Sequence, residues 1–133
     1  MNRRRYVFLG SLMLVLLLAA CSAQPATQAS KSGAFGEVSP QQLRGMLDAG
    51  GVTLVDVHIP EQPHIPGTDA VVPYNDIEAL EAALPDKEAS IVLYCRSGHM
   101  SADAAQALVA AGYTNVSELT GGENAWTAAG YEV

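Results

Sequence analysis

The run Ile91-Val92-Leu93-Tyr94 constrains this chain more than any other stretch, because it is apolar on both parities and ends abruptly at Cys95-Arg96-Ser97-Gly98-His99-Met100. A strand that is apolar at every position is covered on both faces, which places it inside a parallel sheet flanked by helices. The segment Ala102 to Ala111 then reads as a helix, with Ser101 as its N-cap and Gly112 as its C′ stop. Cys95 therefore stands at the carboxyl end of a central strand and faces a helix N-terminus, the place where open α/β sheets bind ligands.

The rest of the chain repeats the alternation. Ser39-Pro40 opens a helix in the cap-then-proline order, Leu43, Met46 and Leu47 form its apolar stripe, and Gly50-Gly51 ends it. A buried strand, Val52 to Val57, leads into a turn rich in Pro and His and a short strand at Ala70-Val71-Val72. A helix capped by Asn75, with Ile77, Leu80, Ala83 and Leu84 inward, is stopped by Pro85, and the last strand is Val116 to Leu119. Strands that alternate with helices predict an α/β domain of three layers, a central parallel sheet with right-handed crossovers and helices on both faces. Such a domain, residues 37–133, is large enough to bury a core without disulfides. Trp126 and Tyr113 read as core or rim aromatics. No internal repeat, glycine-rich phosphate loop or Ser-His-Asp arrangement is present.

A lone cysteine after a strand is ordinarily a small buried hydrophobe with no chemistry. Arg, Ser and Gly directly behind it are poor choices for a packed core and turn the reading toward a site. At a helix N-terminus the loop amides and the helix dipole favour an anion, and hence a thiolate, by up to about 2 kcal/mol. Arg96 adds a second source of positive charge.

The loop Cys95 to Ser101 resembles the active-site loop of rhodanese-like sulfurtransferase domains, in which Cys-Arg-x-Gly-x-Arg-Ser is typical. Leu54-Val55-Asp56-Val57 is similar to the family's early Asp-Val strand, and His64-Ile65-Pro66-Gly67 to its His-Ile-Pro-Gly turn. Gly112-Tyr113-Thr114-Asn115-Val116 and Leu119-Thr120-Gly121-Gly122-Glu123-Asn124-Ala125-Trp126 resemble its closing strand and Gly-Gly…Trp helix. The resemblance spans Val38 to Val133 in the family's order. It implies that Cys95 accepts sulfane sulfur from a donor such as thiosulfate, holds it as a covalent persulfide with no other cofactor, and passes it to a thiol or cyanide acceptor. It further implies an anion-binding loop of Arg96, Ser97, Gly98, His99, Met100 and Ser101, with the amides of Arg96 through Ser101 as donors and Asp56 and His58 in support. The six residues Cys95 to Met100 match the loop length that the family associates with sulfur transfer, and argue against the phosphoester or arsenate chemistry of its longer-looped relatives.

Two positions depart from the pattern. Met100 stands where a second Arg is typical, which removes one bidentate cation for an oxyanion donor and is expected to weaken thiosulfate binding. His58 follows Asp56-Val57 where Arg is usual. His99 reads as an exposed loop residue, and His58 and His64 as makers of structural hydrogen bonds. No His/Cys spacing reads as a zinc site.

At the N-terminus, Arg3-Arg4-Arg5 precedes an apolar stretch ending in Leu18-Ala19-Ala20-Cys21, the layout of a secretory signal with a tetrapeptide that resembles the bacterial lipobox. The expectation is a lipoprotein signal peptide over residues 1–20, lipidation at Cys21, and a flexible Ser-, Ala-, Gln- and Pro-rich tether over residues 21–36. The domain is then an extracytoplasmic, membrane-anchored lipoprotein of a bacterial cell envelope. With Cys21 lipidated, Cys95 has no partner for a structural disulfide.

Charge narrows the partners. The chain carries a formal −7, and without the three leader arginines only Lys31, Arg44, Lys87 and Arg96 face 14 acidic residues. Such a surface excludes nucleic acid as a partner. A small sulfur donor and a thiol acceptor fit it, and so does a protein that takes sulfur from Cys95 or exchanges electrons with it. Three functions stay open on the residues: a sulfurtransferase, a binding or sulfur-relay module with little turnover of thiosulfate, and a thiol redox protein lacking a resolving cysteine.

Overall fold

The computed structural model describes residues 34–133. The expected signal peptide, Cys21 and most of the tether lie outside the described residues. Among the described residues nine elements follow one another: β1 (Gly36–Val38), α1 (Pro40–Ala49), β2 (Thr53–Asp56), β3 (Ala70–Val71), α2 (Ile77–Ala83), β4 (Ile91–Tyr94), α3 (His99–Ala110), β5 (Val116–Leu119) and α4 (Gly122–Ala128). The strands form one sheet of order β1-β5-β4-β2-β3, parallel at every pairing.

β4 is central and fully buried, as its unbroken apolar run requires. Its two parities feed two cores. Ile91, Leu93 and Cys95 pack with Leu80, Leu84, Ala104, Ala105 and Leu108, the buried faces of α2 and α3 and their flanks. Val92 and Tyr94 pack with Leu43, Ile65, Leu119 and Trp126, which brings α1 and α4 to the opposite side. The expected three layers are therefore present. Trp126 and Tyr113 are both core aromatics, at 1% and 3% exposure.

Local chemistry explains the helix ends. Ser39 and Gln42 form a reciprocal capping box with Pro40 in the first turn, and Gly50, at φ 76°, closes α1. α2 is capped by Asp76, not Asn75: the Asp76 carboxylate accepts from the Ala79 amide at 3.0 Å. Ala83 is exposed, and Leu80 and Leu84 carry the inward face.

α3 starts at His99, earlier than the sequence predicts, so Ser101 is not its N-cap. Gly98 takes that place at φ 101°, a left-handed conformation that admits glycine without strain. Ser101 is drawn inside the helix because its hydroxyl has buried partners to meet. Gly36, expected in the tether, opens β1 by pairing with Ser117. Gly and Glu have low strand propensity, and this short edge strand exists because β5 offers it a ladder.

Candidate active site

Two loops meet at the carboxyl end of the sheet. β2 and β4 are hydrogen-bonded neighbours, and the pairing runs on past β2, where the Val57 amide donates to Tyr94 O at 2.9 Å. This sets the segment after Asp56 beside the loop after Tyr94. A second fastening lies below: buried Tyr94 accepts from the Ile65 amide at 3.0 Å and shares a hydrogen bond with Thr68 Oγ1 at 2.8 Å. The His64-Ile65-Pro66-Gly67 turn is thereby pinned to β4, and burial pushes the Tyr94 phenol well up from its ordinary titration.

Cys95 lies on the floor of the loop with 1% of its surface exposed. The Gly98 amide donates to its Sγ at 3.1 Å, and Ser101 Oγ lies 3.6 Å from it. Of the amides expected to face the sulfur, Gly98 N–H is the one within bonding distance among the described residues. It reaches Sγ because the left-handed turn at Gly98 folds the loop back over the cysteine.

The loop backbone is held from the other side by the start of α4. Glu123 N donates to Cys95 O at 2.9 Å and Asn124 N to Arg96 O at 3.0 Å. Gly122 permits this approach, since a Cβ there would fall against Cys95 O and stand 2.7 Å from Arg96 C.

Arg96, Ser97 and His99 are exposed at the rim, while Met100 is half-buried and packs against the core that contains Cys95. Arg96 is tethered: its Nε donates to Gln62 Oε1 at 3.3 Å. Gln62 Nε2 in turn donates to Asp56 Oδ2 at 3.5 Å, and His64 Nδ1 shares that oxygen at 2.9 Å. Asp56 is thus joined to Arg96 through Gln62, and its other oxygen accepts from the His58 amide at 2.9 Å. His58 contributes through that amide, and its ring Nδ1 is buried without a partner among the described residues. The side chains that join Asp56 to the loop are Gln62 and His64.

Glu118 also escapes a reading of the sequence. It is 6% exposed on β5, and Ser101 Oγ donates to its Oε2 at 3.2 Å. Strand parity carries the one available signal: Glu118 shares a face with buried Val116 and so points under α3.

The hydrogen bond to Asp56 raises the His64 titration above its ordinary value near 6.5, against a smaller opposing effect of burial, and Glu61 helps. A histidine raised on folding stabilises the fold fully below pH 6.5, and that contribution is lost as pH rises through the folded value. Urea melts are expected to show stability falling as pH climbs from about 6.5, with His64→Gln flattening the slope. An unchanged slope in that variant would show that the pair is not formed.

A doubly covered parallel sheet that presents a buried thiol, one loop amide and one hydroxyl at a strand's carboxyl end defines an α/β protein with a cysteine-centred loop. The family model of the rhodanese-like domain matches residues 39–129, and the chain belongs to that family. It is 36% identical over 110 residues to the Mycobacterium tuberculosis protein named "Probable adenylyltransferase/sulfurtransferase MoeZ", covering 78% of this chain but 27% of that protein. The thiosulfate sulfurtransferase GlpE of Pseudomonas paraeruginosa is 30% identical over 98 residues, with 71% and 86% of the two chains covered. Among solved structures, the rhodanese-like domain of the Anabaena protein Alr3790 superposes with a TM-score of 0.64 at 28% identity, covering 71% of this chain and 75% of that one. The two relatives named as sulfurtransferases and the superposed rhodanese-like domain each match 71–78% of this chain.

Proposed function

We propose that the chain is a sulfurtransferase in which Cys95 carries sulfane sulfur as a persulfide. The observation that carries the reading is the Gly98 amide donating to Sγ at 3.1 Å, with the Ser101 hydroxyl 3.6 Å from the same sulfur. Donors fixed in a water-poor loop stabilise negative charge on sulfur before the reaction and on the persulfide after it. The Cys95 thiolate attacks the outer sulfur of thiosulfate, a new S–S bond forms, the old one breaks, and sulfite leaves with its electron pair. A thiolate or cyanide then attacks the terminal sulfur of the persulfide and restores the Cys95 thiolate. Arg96, held at the rim by Gln62, is the cation that meets an oxyanion donor there.

A second reading, a relay that takes sulfur from an organic or protein persulfide, is favoured by Met100. Its side chain packs against the core and puts no second cation on the loop. Intact-mass measurement after incubation with thiosulfate separates the two. Gain of one sulfur atom, reversed by cyanide and absent in Cys95→Ser, is expected for the sulfurtransferase. Loading from an organic persulfide alone would establish the relay, and loading from neither would sink both.

A further inference from the structure

Ser101 has one hydroxyl hydrogen and three acceptors around it. Gly98 O lies 3.1 Å away, Glu118 Oε2 3.2 Å and Cys95 Sγ 3.6 Å. The Glu118 carboxyl is close under the loop, so that a Cβ on Gly98 would stand 3.5 Å from its Oε2. A carboxyl so placed is unusual company for a sulfur that must bear negative charge. No cation is paired with it among the described residues, where the ion pairs join Arg44 to Asp48, His64 to Asp56 and Glu61, and Lys87 to Glu81.

We propose that Glu118 is a positioning residue for the chemistry at Cys95, its carboxyl deciding whether the Ser101 hydroxyl hydrogen points at Glu118 or at Sγ. When Glu118 is ionised, the charge-assisted bond draws the hydrogen to the carboxylate, and the oxygen lone pairs of Ser101 are left facing the sulfur. When Glu118 is protonated, its own O–H donates to Ser101 Oγ, and the hydroxyl hydrogen turns to Sγ. The chain Glu118–Ser101–Cys95 then donates toward a thiolate or persulfide. No bond is made or broken beyond these hydrogen bonds, and the carboxyl proton exchanges with solvent.

The surroundings shift Glu118 toward the protonated form relative to water. Burial raises the Glu118 titration above the ordinary carboxylate value near 4.5, the Ser101 bond opposes this, and the Glu37 carboxylate on β1 adds to the rise. Glu37 pairs with Glu118 in the β1–β5 register, and Cys95 faces it through Ser101 from the end of β4. Thr120, just past β5, also opposes the rise.

The proposal rests on Cys95 as the sulfur carrier, but its test does not require sulfur transfer. The rate of Cys95 alkylation by iodoacetamide is followed against pH in the full chain, with peptide mass mapping to separate Cys95 from Cys21. In the wild-type protein the rate is expected to rise with pH and to flatten through the window where Glu118 loses its proton. Glu118→Gln keeps an N–H donor toward Ser101 at every pH. It is expected to lose the flattening and to react about tenfold faster above that window, the size of one hydrogen bond to a charged group. An unchanged profile would overturn the proposal. Ser101→Ala supplies an independent check, because the flattening must vanish when the intermediary is removed. Its persistence would mean that Glu118 acts through space, and would overturn the positioning role. A chain that alkylates as expected but takes up no sulfur from any donor overturns the sulfur-carrier reading and leaves the role of Glu118 standing.

Discussion

Gly122→Ala is expected to cost about 3 kcal/mol of stability and to open the active-site loop. Gly122 sits at φ +59°, and the three nearest atoms to its missing Cβ are Cys95 O, Arg96 C and Arg96 O, all backbone. Backbone cannot move aside as a flexible side chain can, so α4 must retreat from the loop. Retreat breaks the bonds from Glu123 N and Asn124 N that hold the carbonyls of Cys95 and Arg96. Stability and site are therefore lost together. In a domain of this size a melting point lower by roughly 10–25 °C is expected, with loss of sulfur loading at temperatures where the variant is still folded. Gly45→Ala is the control, since its Cβ would meet nothing within 4 Å on an exposed turn of α1. A Gly122→Ala protein that melts with the wild type would show that α4 does not press on the loop.

Asp56→Ala is expected to be nearly as damaging, at about 3 kcal/mol, because it strands several donors at once. Asp56 is 1% exposed, and its carboxylate serves the His58 amide, the His64 ring and the Gln62 amide group. Gln62 is itself buried and positions Arg96, so the loss reaches the rim of the Cys95 loop. Urea denaturation of Asp56→Ala is expected to show a lower midpoint and to lose most of the pH slope contributed by His64, since Asp56 is its largest cause. Asp56→Asn, which keeps an acceptor of the same shape, is expected to recover part of the stability but not the slope. A normal midpoint in Asp56→Ala would mean that water satisfies all three groups.

The two central features of the chain were legible because they are local. The unbroken apolar run of β4 specifies a strand covered on both faces, and β5 was equally readable. Ser39, Pro40 and Gly50 mark the ends of α1 by chemistry that needs no distant partner. Cys95 and its loop were readable for the same reason, as a polar, glycine-containing break between an apolar strand and a helical pattern. The larger departure arises where a distant group competes with a local preference. Ser101 has the chemistry of an N-cap, yet it lies inside α3 because Glu118, seventeen residues away, and the Cys95 loop offer its hydroxyl buried partners. Asp76 displaced Asn75 as the cap of α2 by only one residue, the kind of boundary that composition does not resolve.

Composition and order alone thus determined an α/β domain with its cysteine at the carboxyl end of a central parallel strand, since periodicity, capping and turn chemistry act over a few residues. Only the tertiary structure decided what surrounds the sulfur. Parallel pairing of β2 with β4 brought Asp56, Gln62 and His64 beside the loop. Parity on β5 turned Glu118 under Ser101, and the bare backbone of Gly122 let α4 close on the cysteine carbonyl. These groups lie far apart along the chain and meet because strand register and close packing leave them nowhere else to be.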